Sequence, residues 1–95
     1  MSKHTSRKSR WTQINSKEYR STFGVVRYHA GAWEGTAIYE LWQQDGLDES
    51  QASWQARSAP AGRFKRPRNA MMAVEDTARA LRRQYQDRVK IAFED

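Results

Sequence analysis

From Arg63 to Arg68 the chain reads Arg-Phe-Lys-Arg-Pro-Arg, four fixed positive charges in six residues, broken by one ring and one proline. Charge at this density suits a polyanion, because each phosphate neutralised releases condensed counterions and so adds affinity. The apolar spacing that follows marks a helix, and the first turn of a helix presents unpaired N–H groups and the positive end of a dipole to anions. Basic side chains at a positive helix end are locally unfavourable, and such a conflict points to an anionic partner. The plainer reading is a solvated basic loop that serves solubility.

Other chemistry is poorly represented. Two histidines, His4 in the N-terminal segment and His29 at a strand end, have no second ligand at metal-binding spacing, and there is no cysteine. Asp45, Asp48 and Glu49 lie in a polar stretch whose spacing does not match a helix-flanked calcium loop. Gly24, Gly31, Gly35, Gly46 and Gly62 are scattered and form no phosphate loop. No nucleophile, base and orienting acid can be grouped by spacing. The expectation is a protein that is not an enzyme, with no catalytic residues, no cofactor and no metal.

Ninety-five residues allow one small domain. The net charge of +6 is distributed in blocks. Lys3, Arg7, Lys8, Arg10, Lys17 and Arg20 stand against Glu18 alone, while Glu34, Glu40, Asp45, Asp48 and Glu49 face no base before Gln51. Arg57 and the 63–68 cluster are basic again. Such asymmetry speaks of partners rather than fold. No apolar run approaches a membrane span. The basic N-terminus has no apolar stretch behind it, and the lack of cysteine suits a reducing, cytoplasmic compartment.

The elements that would position the basic cluster follow from periodicity. Residues 1–10 hold no apolar residue after Met1 and are expected to be disordered, with residues 1–18 a flexible basic tail and 19–95 the domain. Trp11 and Ile14 either dock on the body or add a short strand. Residues 21–29 and 33–43 read as a hairpin around Gly31. A two-residue loop puts Val26, Tyr28, Trp33, Ala37, Tyr39 and Leu41 on the core face, and Phe23, Val25, Arg27, Glu34, Thr36, Ile38, Glu40 and Trp42 on the other. Gly24 and Gly35, inside strands, imply a bulge or an aromatic neighbour leaning over them. Residues 52–59 alternate as a third strand, 60–67 form a basic turn-rich loop, and Asn69 caps a helix carrying Met71, Val74, Ala78, Leu81 and Tyr85 on one stripe. Val89, Ile91 and Phe93 either form a fourth strand or continue the helix. The expected fold is therefore α+β: a three-stranded antiparallel sheet, four-stranded if this tail joins it, packed by one long C-terminal helix.

Gly24-Val25-Val26-Arg27-Tyr28-His29, then Gly31-Ala32-Trp33, an alternating second strand and Phe64 before the Ala-rich helix 70–81 resemble the three-strand-plus-helix DNA-binding domains of the plant ethylene-response-factor type. The same pieces are similar to the arm-site-binding domains of tyrosine recombinases. Such domains set their sheet in the major groove, and the resemblance implies roles there for Arg27, Trp33 and Arg57. Glu34 and Glu40 stand where those families often carry bases, and the acidic stretch 45–49 departs from them. The basic segment before a helix also looks like part of a double-stranded-RNA-binding domain, whose first helix is not evident. The leading expectation is a nucleic-acid-binding protein using Arg63, Lys65, Arg66 and Arg68 together with the basic N-terminal tail for phosphates, with Arg27, Trp33 and Arg57 beside them. The alternative is a protein-interaction module or homodimer using an exposed sheet face or edge.

Overall fold

The computed structural model describes residues 11–43 and 52–91. Strands β1 (Thr12–Asn15), β2 (Glu18–Arg20), β3 (Gly24–His29), β4 (Ala32–Gln43) and β5 (Ser53–Phe64) lie side by side in chain order, all antiparallel. The helix α1 (Pro67–Tyr85) returns across one face. A 3-10 turn (Gln86–Arg88) leads to β6 (Val89–Lys90), which pairs with β4 beyond the end of β3. The α+β architecture, an antiparallel sheet under one C-terminal helix, is the expected one. Among the described residues the strand number is six, because β1 and β2 extend the sheet past β3 and the segment after the helix supplies β6. The boundary drawn between residues 18 and 19 falls inside the paired β1–β2 segment. The expected disorder of residues 1–10 and the acidic stretch 44–51 lie outside the described residues.

Two residues, Ala30 (φ 52°) and Gly31 (φ 81°), turn β3 into β4, with His29 opposite Ala32. Positive φ at both central residues matches the right-handed twist of the strands. Gly31 adopts it freely, whereas Ala30 bears a cost of roughly 1 kcal/mol. This register reproduces the expected faces with one exception. Phe23 is buried against Trp11, ring centroids 6.3 Å apart, rather than placed on the open face. The alternation does not extend back to it, because the backbone turns from Ser21 to Gly24 and the Phe23 N–H donates to the Ser21 hydroxyl.

The helix sits close to β4 at Gly35. A Cβ there would lie 2.7 Å from Val74 Cγ2 and 3.1 Å from the Ala70 carbonyl oxygen, so helix backbone fills the space a side chain would need. Aromatic cover belongs instead to Gly62, where the Phe64 ring comes within 3.1 Å of such a Cβ. Val26, Ala37, Ala70, Val74 and Ala78 form one buried cluster with Phe23, Val89 and Ile91. Helix α1 starts at Pro67 rather than after an Asn69 cap. Arg66 is extended (φ −125°, ψ 143°), as a residue preceding proline must be, and Pro67 at the first helical position gives up an N–H that would have no partner there.

β5 runs through the segment expected to be a loop. The Ile38 N–H donates to the Phe23 carbonyl, so alternate β4 residues 36, 38, 40 and 42 direct their main chain toward β3 and β6 and the odd-numbered ones toward β5. In register, Ser53, Gln55, Arg57 and Ala59 then bond β4, while Trp54, Ala56, Ser58 and Pro60 point their main chain outward. Pro60 thus occupies a position where a missing N–H removes no ladder bond. A shift follows, from Thr36 opposite Pro60 to Gly35 opposite Gly62, and the strand continues to Phe64.

Gly35→Ala is expected to destabilise the protein by about 1–3 kcal/mol through overpacking against the helix. Val74→Ala should cost about 2 kcal/mol by leaving a void. Combined, the two should cost clearly less than their sum, since Val74 Cγ2 is the nearest atom to the added methyl. Urea unfolding of the three variants measures this, and strict additivity would mean that the helix does not rest on position 35.

Candidate nucleic-acid interface

Strand pairing brings most of the basic candidates to one end of the molecule. Trp33 pairs with Phe64, and Glu34 with Arg63, next to the β3–β4 turn; the bend Lys65–Arg66 and the start of α1 follow directly. Arg57, six residues back along β5 and opposite Tyr39, stands roughly 20 Å away at strand spacing. Its guanidinium donates to the Gln43 side-chain oxygen.

The candidates divide by what already engages them. Arg63 donates from Nη2 to the His29 and Ala30 carbonyls, 3.0 Å each, and its Nε lies 3.4 Å from Glu34. It therefore holds the β3–β4 turn at the residue with the costly φ. Arg27 pairs with Glu18 at 3.5 Å, and Arg20 donates to the same carboxylate. Trp33 lies on the face the helix covers, half-buried between Tyr19 and Tyr28, with ring centroids at 5.7 and 5.3 Å. Lys65, Arg66 and Arg68 are exposed, and among the described residues their side chains make no hydrogen bond or ion pair. They flank a helix start that has no side-chain cap. The main-chain N–H groups of the first turn remain open to an anion, apart from that of Ala70, which donates to the Arg66 carbonyl.

The open sheet face is electrically occupied by itself. Glu18 serves Arg20 and Arg27, Glu34 serves Arg63 and His29, and Glu40 is paired in register with Lys90, whose Nζ sits 4.4 Å over the Trp54 ring. Trp54 meets Trp42 edge to face at 5.3 Å, and Ile38 is 47% exposed beside them. This face is aromatic and nearly neutral. Sequence reasoning missed the Trp42–Trp54–Lys90 group, since it depends on β6 bringing Lys90 alongside β4. It also missed the clamp made by Arg63, because the extension of β5 past Pro60 was not legible. Among the described residues no three His, Asp or Glu side chains gather as a metal site would require. Among the described residues no helix is long and apolar enough to cross a membrane.

No family model, curated protein or solved structure matches this chain.

The Arg20 guanidinium, hydrogen-bonded to Glu18, holds that carboxyl below its ordinary value of 4.5, with Arg27 adding to the effect. A depressed carboxylate contributes stability that is complete above its unfolded-state pKa and fades as pH falls through the folded value. Arg20→Ala should move the Glu18 titration upward, toward 4.5, in a carboxyl-detected NMR titration. An unmoved midpoint would show that Arg20 is not the dominant partner.

Proposed function

We propose that this is a non-enzymatic nucleic-acid-binding protein that holds phosphates at the corner where β5 ends and α1 begins. The observation that carries this reading is the set Lys65, Arg66 and Arg68, three exposed cations with no acidic partner, placed around an uncapped helix start. The other three cations proposed as contacts are engaged within the fold: Arg63 with the turn, Arg27 with Glu18 and Arg57 with Gln43. A free cation cluster can exchange counterions for phosphates without breaking an internal ion pair. The corner also suits an oxyanion by its dipole and open N–H groups.

The resemblance to sheet-docking DNA-binding domains suggests a different contact, through the open face. The self-neutralised charges of that face argue for the helix corner instead. Of the residues implied by the resemblance, only Arg27 faces outward from the open side, while Trp33 and Arg57 belong to the helix side. Contacts at the corner fall on phosphates and position the protein without reading bases.

Lys65→Ala with Arg66→Ala should weaken binding to duplex and single-stranded probes of unrelated sequence by a similar factor. It should also lower the slope of log affinity against log salt by roughly two. Arg57→Ala should leave the slope unchanged, and Arg63→Ala should show itself first as lost thermal stability. Fluorescence anisotropy over a salt series measures all three. The absence of salt-sensitive binding to any DNA or RNA at about 50 mM salt would overturn the reading.

A further inference from the structure

Among the described residues β5 is the outer strand of the sheet along its whole length. The opposite edge, β1, has four residues and a register shift between Gln13 and Asn15. Short length, bulges and prolines are the devices by which sheets stop their edges from pairing with other chains. In β5 these devices occupy only the second half, where Pro60 and the shift at residue 61 fall. From Ser53 to Ala59 there is no proline, glycine or bulge. Trp54, Ala56 and Ser58 send both N–H and C=O outward, and no described residue meets them. The side chains here are mostly small, with Arg57 the one charge.

We propose that this half of β5 is a self-association edge, pairing antiparallel with the same segment of a second copy about a two-fold axis at Ala56. The segment is self-complementary in that register. Ala56 faces Ala56 of the partner subunit, and Trp54 faces Ser58 of the partner subunit. Those three outward-facing residues then form hydrogen-bonded pairs, each exchanging both main-chain bonds. Arg57 falls opposite Gln55 of the partner subunit. An axis one residue further on would set two Arg57 guanidiniums face to face, which is destabilising. A two-fold interface needs a patch that matches itself in this way. The helix corner with Lys65, Arg66 and Arg68 lies beyond the seam, so the pairing is independent of phosphate binding and leaves each copy's corner open.

Sedimentation equilibrium of the full chain, without nucleic acid, tests this. The mass should rise with concentration from 11.1 kDa toward twice that value. Ala56→Pro removes one outward N–H as Pro60 already does in the same strand, and should raise the dimer dissociation constant at least tenfold, roughly the loss expected for two main-chain bonds. Ala56→Lys and Ala56→Glu, at an exposed position, should each be monomeric because like charges meet on the axis, and an equimolar mixture of the two should dimerise. Far-UV circular dichroism confirms that each variant folds, and the charge pair stands as the test if the proline variant does not. A mass of 11.1 kDa into the high micromolar range would overturn the proposal. So would a dimer indifferent to every Ala56 substitution, or one lost on Ile38→Ser instead, which would place the contact on the open face.

Discussion

The closeness of the helix to β4 depends on the missing side chain at Gly35. With Val74 Cγ2 and the Ala70 carbonyl already in the space a Cβ would take, the two backbones approach until alanines can fill the layer between them. Ala37, Ala70 and Ala78 are buried there, and the largest fully buried side chains are only Val26 and Val74. A core of small residues gains from tight packing rather than from large apolar area. The big aromatics are displaced to its margins: Trp11 stacks on Phe23, Trp33 meets Tyr19 and Tyr28, and Trp42 with Trp54 lies on the far face. The indole N–H of Trp11 donates to Glu75 at 2.8 Å, so the first described residue is tied to the middle of the helix.

The same compactness sorts the charges. On the open face each carboxylate has basic neighbours within the sheet, and those bases act as parts of the fold. Arg63 is the clearest case, a cation that satisfies two carbonyls of a turn whose Ala30 is held at an unfavourable φ. At the β5–α1 corner, Lys65, Arg66 and Arg68 have no such partner among the described residues. The net charge of the chain therefore says little about which of its cations are engaged within the fold and which are not.

The β3–β4 hairpin, its faces and the helix stripe were legible because one short-range rule governs each: a two-residue turn fixes register, and 3.6-residue spacing fixes a helical face. Phe23 was misplaced because the turn at Ser21 breaks the alternation before β3 starts. Residues 60–64 were read as loop because proline and basic residues argue against a strand interior. That argument fails on an outer strand, where every second N–H has no ladder partner to lose. The helix start was read from Asn69, although Pro67 suits the first helical position and its N–H is dispensable there. Of the candidate site, the grouping of Lys65, Arg66 and Arg68 was visible in the chain. The engagement of Arg27 by Glu18 and of Arg63 by the turn was not, since both depend on cross-strand neighbours that sequence spacing does not reveal.

The order of strands has a consequence for how the protein assembles. From β1 to β5 every strand pairs with the one before it in the chain, so the sheet forms by successive hairpins and demands little loop closure over long sequence separations. The exceptions come last in the chain: the return of α1 over the sheet, the bond from Trp11 to Glu75, and the insertion of β6 beside β4. The sheet face that α1 covers has no apolar partner until the helix, Pro67–Tyr85, is present. The hairpins alone lack the helix half of the core, since Ala70, Val74 and Ala78 come from α1.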